Sequence, residues 1–386
     1  MSLYVFWGAL ALIAYTYLLF PVLLAIRGAL WRRPIQAADI EPMVSMIIAA
    51  YNEAGTIAAR LDNLLSLDYP ADRFEVIIAS DGSDDDTVAV ASRYADPRIK
   101  VLDLPRLGKA GALNEAVHAS RGEILVFSDA NSMYAPDAIR ALVRPFADPT
   151  VGGVAGNQRY LAGKDAGQTG AGERSYWSFD RLLKRTQSRA GNTISATGAI
   201  YAIRRTLFQP VPEGVTDDFV TSTRVIAQGY RLVFAPDAVA YEPVAHRSDI
   251  EFGRKVRVIT RGLRGVLVMR ELLNPLRYGF YAIQLFTHKV LRRLMFVPLL
   301  ALLAATPFLW DAGLFYRLAL LGQLAFYGSA LLGWLLRGTR LGRLKVFAIP
   351  FYFCVVYTAA LIATWNVLRG QRITRWTPQR QQSFQP

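Results

Sequence analysis

Apolar and polar positions divide the chain into three textures. Residues 3–26 form an apolar run without a charged side chain, about 24 residues and long enough to cross a hydrocarbon layer of about 30 Å. From Met43 short apolar runs alternate with stretches of helical period. The runs Val44–Ala50, Phe74–Ser80, Ile99–Leu102, Glu123–Ser128 and Val151–Ala155 predict strands. Ala54–Leu67, Asp85–Tyr94, Lys109–Ala119 and Pro136–Phe146 predict helices between them. Apolar strands alternating with helices predict an α/β domain, a mostly parallel sheet between helices, with ligands bound where strands end. The third texture begins near residue 266. Residues 266–293 mix Arg270, Arg277, Lys289, Arg292 and Arg293 with Leu, Phe and Tyr, the pattern of helix lying on a membrane face. Apolar runs at 294–310, 314–336 and 346–368 then predict about three further spans.

Charge sharpens this division into 1–36 (anchor), 37–265 (α/β domain), 266–293 (interface helices) and 294–386 (spans and basic tail). The chain of 386 residues carries 44 Lys plus Arg against 30 Asp plus Glu, a formal charge of +14. Residues 1–36 hold three of the basic residues and no acid, and residues 273–386 hold 13 basic residues and one acid, Asp311. The middle is therefore close to neutral, which argues against nucleic acid as a partner. Arg27, Arg32 and Arg33 follow the first apolar run instead of preceding it. This marks an uncleaved anchor and places the middle domain in the cytoplasm of a multi-pass protein of the plasma (inner) membrane. The basic loop Arg337, Arg340, Arg343 and Lys345 agrees with that side; the tail arginines Arg369, Arg372, Arg375 and Arg380 conflict with it if all four runs cross. Cys354 is the sole cysteine, and His118, His246 and His288 have no zinc spacing, which excludes a disulfide framework and a Cys-based zinc cluster. A transporter would need an intramembrane acid–base chain, and none is visible.

The candidate chemistry sits where the predicted strands end. Tyr51-Asn52-Glu53 follows the first, Asp81-Gly82-Ser83-Asp84 the second and Asp129-Ala130-Asn131 the fourth. One such loop is ordinary turn and helix-cap chemistry; three on one sheet edge point to a ligand. Between them Arg106-Leu107-Gly108-Lys109-Ala110-Gly111 opens a helix, offering backbone N–H groups and an ammonium to an anion. It is not a Walker loop, and no GxGxxG follows the first strand. Carboxylates with one lysine suit a nucleotide whose phosphates meet Lys109 and a divalent ion, Mg2+ or Mn2+.

In this order the motifs resemble the family 2 glycosyltransferases of GT-A fold. The matching pieces are Ala50-Tyr51-Asn52-Glu53, Ser80-Asp81-Gly82-Ser83, Gly108–Asn114, Ser128–Asn131, Thr197-Gly198-Ala199, Tyr201–Arg205, Thr216–Phe219 and Gly229-Tyr230-Arg231. One leading span with several trailing ones is similar to the membrane-bound branch of chitooligosaccharide, poly-N-acetylglucosamine and hyaluronan synthases. The resemblance implies that Asp81 with Tyr51, Asn52 and Glu53 holds the uracil and ribose of a UDP-sugar. Lys109 would lie near base or diphosphate, and Asp129 and Asn131 would stand at the DxD metal motif. Asp218 would be the catalytic base, Asp217 its acidic neighbour, and Thr197 and Gly198 would line the acceptor end. An inverting transfer fits this set independently: the attacking hydroxyl needs a carboxylate, and the departing diphosphate needs neutralisation.

Two positions depart from the family pattern. Asn131 replaces a metal carboxylate by an amide. Arg254 and Arg257 fit the diphosphate-binding arginines of the processive branch, but Val258 stands where its tryptophan would. The function implied is synthesis of a cell-surface glycan from a nucleotide-sugar donor, with single transfer to a lipid-linked acceptor as the alternative that Val258 favours. So few spans make a poor conduit for a polymer, so a homodimer or an accessory subunit is a further expectation.

Overall fold

The computed structural model describes residues 1–161, 181–243, 248–371 and 373. Trp177, His246, Arg372, Arg375 and Arg380 lie outside the described residues. The chain divides into two compact units. One is built chiefly from Ala25–Ala245; the other takes Met1–Leu24, His246–Leu267 and Leu273–Ile373.

The first unit is an eight-stranded sheet. Its strands are β1 Val44–Ala50, β2 Phe74–Asp81, β3 Ile99–Leu104, β4 Ile124–Asp129, β5 Met133–Tyr134, β6 Val151–Leu161, β7 Tyr201–Arg204 and β8 Arg231–Pro243. They lie in the order β3-β2-β1-β4-β7-β6-β8-β5. From β3 to β4 all pairs are parallel, as the pattern predicts. Beyond β4 the sheet is mixed: β7 runs antiparallel to both β4 and β6, β8 runs parallel to β6, and β5 antiparallel to β8.

Strands β1 and β2 are buried on both faces, which explains their unbroken apolar runs. Alternate residues feed two cores. Val44, Met46 and Ile48 pack with Ile57, Leu61 and Leu64 of helix Ala54–Leu65 and with Ile139 and Leu142 of helix Ala138–Val143. Ile47 and Ala49 pack on the other face with Ala112, Leu113 and Ala116 of helix Gly108–His118 and with Val225 of helix Asp217–Ala227. Burying side chains of this size contributes roughly 1.5–3 kcal/mol each, so the sheet is the rigid floor on which the loops stand. The helix expected over 85–94 shortens to Thr87–Ser92. Asp85 stands ahead of it, accepting from the N–H of Thr87, its first residue, at 3.0 Å and from the Ala54 N–H at 3.2 Å.

Among the described residues three helices are long and apolar enough to cross a membrane: Ser2–Leu30, Leu314–Leu335 and Lys345–Leu368. The run expected at 294–310 falls in Phe296–Ala312, which forms with Phe280–Arg293 a pair bent by 55°. Residues 266–293 run from the end of helix Ser248–Val268 through short helical pieces, interrupted at Gly279, whose φ is +55°. The last two long helices approach closely at Gly333, where a Cβ would lie 2.7 Å from the Phe347 carbonyl oxygen, small-residue packing of the kind found between apolar helices. Trp7 stacks on Phe315 at 5.8 Å and donates its indole N–H to the Tyr316 hydroxyl.

Candidate active site

The parallel order β2-β1-β4 brings the ends of three strands to one edge. The loops after β1 and β2 are knitted together. Asn52 takes a left-handed φ of +56°, accepts from the Asp84 N–H at 2.8 Å and donates its own N–H to Ser83 Oγ. The Tyr51 hydroxyl donates to Asp84 at 3.0 Å. Glu53 donates its N–H to Thr87 Oγ1 and accepts from Thr56 Oγ1. Burial pushes the Glu53 carboxyl up; Asp129 and Asp85 push it further, against the Thr56 hydrogen bond.

Asp81 is wholly buried. Its Oδ1 accepts from the backbone N–H groups of Leu107 (2.7 Å) and Gly108 (2.8 Å), while Oδ2 pairs with Arg106. The sequence pattern offers these N–H groups to an anionic ligand; the fold gives two of them to Asp81 instead. Asp81 thus shapes the loop that presents Lys109. The Arg106 guanidinium also lies 3.3 Å from the centre of the Tyr51 ring.

Lys109 is the centre of the acidic group. Its ammonium lies 2.7 Å from Asp129 and 3.2 Å from Asp217. Burial alone would lower its pKa, but Asp129, Asp217 and Asp218 together raise it above the ordinary lysine value. Asp217 and Asp218 occupy the first turn of helix Asp217–Ala227. Thr216 makes no side-chain cap there; Asp218 Oδ1 accepts instead from the Phe219 N–H at 2.7 Å. The positive end of a helix favours ionised carboxylates. Three carboxylates around one ammonium leave a negative balance that suits a divalent cation. Among the described residues no three His, Cys, Asp or Glu side chains gather to hold an ion alone. Asp129 and Asn131 can therefore supply part of a coordination shell, with ligand oxygens supplying the remainder.

Gly198 lies against Asp129. A Cβ there would sit 2.9 Å from Asp129 Oδ2, so any larger residue would have to displace the carboxylate or the loop. The neighbouring Thr197 hydroxyl is buried and has no hydrogen-bond partner among the described residues. Two other motif residues act as braces. Asn114 pairs through both amide atoms with the backbone of Val211, and Arg205 donates to the carbonyls of Gly122 and Val117. Arg254 and Arg257 belong to the other unit, on helix Ser248–Val268, in one stripe with Arg261 and Arg264. Burial lowers the Arg257 pKa, and Arg261 and Arg254 add to this.

Sequence reasoning missed Arg60, and quoted Tyr201 only as part of a motif without a role. Arg60 is fully buried and its guanidinium is pushed down to about 10 by burial, against the pull of Tyr134, Asp129 and Glu242. Its signal was available: position 60 shares a helical face with Ile57 and Leu64, where a charge is out of place. Tyr201, also buried, has a phenol pushed well up by burial, with Asp217, Asp218 and Asp129 adding to the shift.

The family model described as Glycosyl transferase family 2 matches residues 45–211. An N-acetylglucosaminyltransferase from Rhizobium sp. (strain N33) is 27% identical over 256 residues, 62% of this chain and 57% of its own. A poly-beta-1,6-N-acetyl-D-glucosamine synthase from Staphylococcus epidermidis is 29% identical over 205 residues, 51% of this chain and 49% of its own. The chain thus spans about half the length of the curated relatives it matches. The solved structure of a mannosyltransferase from Pyrobaculum calidifontis, in complex with GDP-Man and Mn2+, superposes with a TM-score of 0.72 at 25% identity. That match covers 94% of this chain and 99% of the other.

Proposed function

Residues 45–211 form a glycosyl transferase family 2 domain on a GT-A fold, and from that premise we propose that the chain is a membrane-bound inverting glycosyltransferase building a cell-surface glycan. The donor is a nucleotide sugar held along the edge of β2-β1-β4, with its base near Tyr51, Asn52, Glu53 and Asp81. The domain faces the cytoplasm of an inner membrane, where such donors are made.

The observation that carries this reading is the division of labour among the aspartates. Lys109 pairs with Asp129 and Asp217, and Asp218 stands beside Asp217 in the first turn of helix Asp217–Ala227, its Oδ1 accepting from the Phe219 N–H. At the positive end of that helix, and at the position the resemblance gives to the base, Asp218 is the carboxylate assigned to accept a proton. In the reaction an acceptor oxygen forms a bond to the anomeric carbon as the bond to the diphosphate breaks on the opposite face. Asp218 takes the hydroxyl proton, and the nucleoside diphosphate leaves. Lys109 meets the growing charge on the leaving group. Asp129 and Asn131 would hold Mg2+ or Mn2+, which when bound neutralises the diphosphate. Asp217 keeps Lys109 in place, and Gly198 lets the acceptor side approach Asp129.

The two curated relatives named for N-acetylglucosamine support a donor of that sugar. The mannosyltransferase bound to GDP-Man supports a GDP-linked one. Val258, exposed on helix Ser248–Val268 where an aromatic platform was expected, favours a second reading, one sugar transferred to a lipid-linked acceptor. Full-length protein in membranes, offered UDP- and GDP-sugars with Mg2+ or Mn2+, decides both points. Release of nucleoside diphosphate identifies the donor, and a ladder of labelled products against a single product separates polymerisation from single transfer. No release from any donor overturns the proposal.

A further inference from the structure

Arg60 stands out among the buried charges that the mechanism does not use. It lies on the buried face of helix Ala54–Leu65 with Ile57, Leu61 and Leu64. Its side chain meets neutral groups: Asn63 Oδ1 at 2.9 Å, Ser128 Oγ at 2.8 Å, and the Tyr134 ring with the guanidinium carbon 4.3 Å from its centre. Its Nε has no hydrogen-bond partner among the described residues. A buried cation without a carboxylate in contact is costly, and an apolar side chain would fill the same volume without that cost. The guanidinium, however, supplies two donors at a fixed angle, which an apolar chain or a lysine does not.

Both donors lead into the reaction centre. Ser128, which accepts from Arg60, precedes Asp129 and donates to the Ala199 carbonyl at 3.0 Å. The Tyr134 hydroxyl donates to the same carbonyl at 3.2 Å. Asn63 binds the Tyr134 backbone through both amide atoms, at 2.8 and 2.9 Å. Arg60 therefore joins the end of β4 to the loop 197–199 through Ser128, and joins β5 to the same loop through Asn63 and Tyr134. Between those two anchored segments is the narrow approach of Gly198 to Asp129, where a Cβ would lie 2.9 Å from the carboxylate.

We propose that Arg60 is a positioning residue that sets the spacing between Asp129 and Gly198, and so between the donor and acceptor sides of the cleft. The inference rests on reading those two residues as the two sides of a glycosyl-transfer site. A displacement of about an ångström between reacting partners costs on the order of 100-fold in rate, so the effect belongs in kcat more than in donor binding.

The test compares wild type, Arg60→Met, Arg60→Lys and the milder Ser128→Ala, each as full-length protein in nanodiscs. Hydrogen exchange is followed over the whole sheet. Arg60→Met and Ser128→Ala should speed exchange at residues 128–131 and 197–200 while leaving β2 and β3 at wild-type rates. With the donor that wild type turns over, kcat per folded molecule should fall about 10- to 100-fold in Arg60→Met. The donor KM should stay within about threefold, and Arg60→Lys should recover only part of the rate. Unchanged exchange at both segments, or faster exchange spread evenly over the sheet, overturns the proposal and leaves Arg60 as packing. So does wild-type kcat in Ser128→Ala. If wild type turns over no donor, the functional reading fails by itself and the exchange data alone decide the role of Arg60.

Discussion

Lys109 and Asp217 are 3.2 Å apart, and their ion pair joins the helix after β3 to the helix that carries Asp218. Nothing in the linear chain links these residues, more than a hundred positions apart. The same ammonium reaches Asp129 at the end of β4, so one cation holds three elements of the site in register.

Replacing that cation removes the counter-charge from the aspartates around it. Lys109→Met should destabilise the protein by about 3 kcal/mol, the lower end for breaking a buried pair, because both partners keep some exposure. A drop in thermal midpoint together with lost nucleoside diphosphate release would be the result; an unchanged midpoint would show that the pair contributes little.

Asp218→Asn keeps shape and hydrogen bonding but cannot take a proton. Turnover should fall by roughly 100- to 10,000-fold, while binding of UDP or GDP with Mn2+, measured by calorimetry, stays near wild type. A normal rate would move the base elsewhere, with Asp217 as the next candidate.

Gly198→Ala places a methyl group 2.9 Å from Asp129 Oδ2. Either the carboxylate or the loop must move, and overpacking of this kind costs about 1–3 kcal/mol. The donor KM should rise and kcat should fall, with the thermal midpoint lowered by a few degrees or less; unaltered kinetics would mean that the Asp129–Gly198 spacing has slack.

Glu53 gives a pH dependence of defined sign. Its folded-state pKa is raised, first by burial and then by Asp129 and Asp85. The ionised group therefore costs folded stability at neutral and alkaline pH, and that cost vanishes as pH falls below the ordinary carboxylate range. Glu53→Gln should raise the thermal midpoint relative to wild type at pH 8, with the gain shrinking steadily toward pH 4. A gain that grows on acidification would contradict the assignment.

Asn131→Asp restores a second carboxylate beside Asp129. Added charge tightens oxygen-ligand sites for divalent ions, so half-maximal activation by Mg2+ or Mn2+ should move to lower concentration. An unchanged activation curve would place the ion away from residue 131.

Much of the site was legible in the chain because parallel sheets bind ligands where strands end. Asp81 and Asp129 could be placed on one edge as soon as the strands Phe74–Asp81 and Ile124–Asp129 were recognised. The partners of Asp81 were not legible. Its carboxylate turns inward to Leu107, Gly108 and Arg106, a choice made by how the loop after β3 folds back. Arg60 was hidden for another reason: helical period reveals that a position faces the core, but not that Asn63, Ser128 and Tyr134 are waiting there.

The sequence by itself determined the local and the periodic. Apolar runs buried on both faces make strands, amphipathic period makes helices, and long uncharged runs make candidate spans, because each depends only on neighbours in the chain. Tertiary structure alone decided the antiparallel insertion of β7 between β4 and β6, since the period of side chains along a strand is the same whichever way the strand runs. It also brought Asp129 and Asp217 to Lys109. Charges interact through space over a few ångströms, and only the folded backbone brings residues 109, 129 and 217 within that distance.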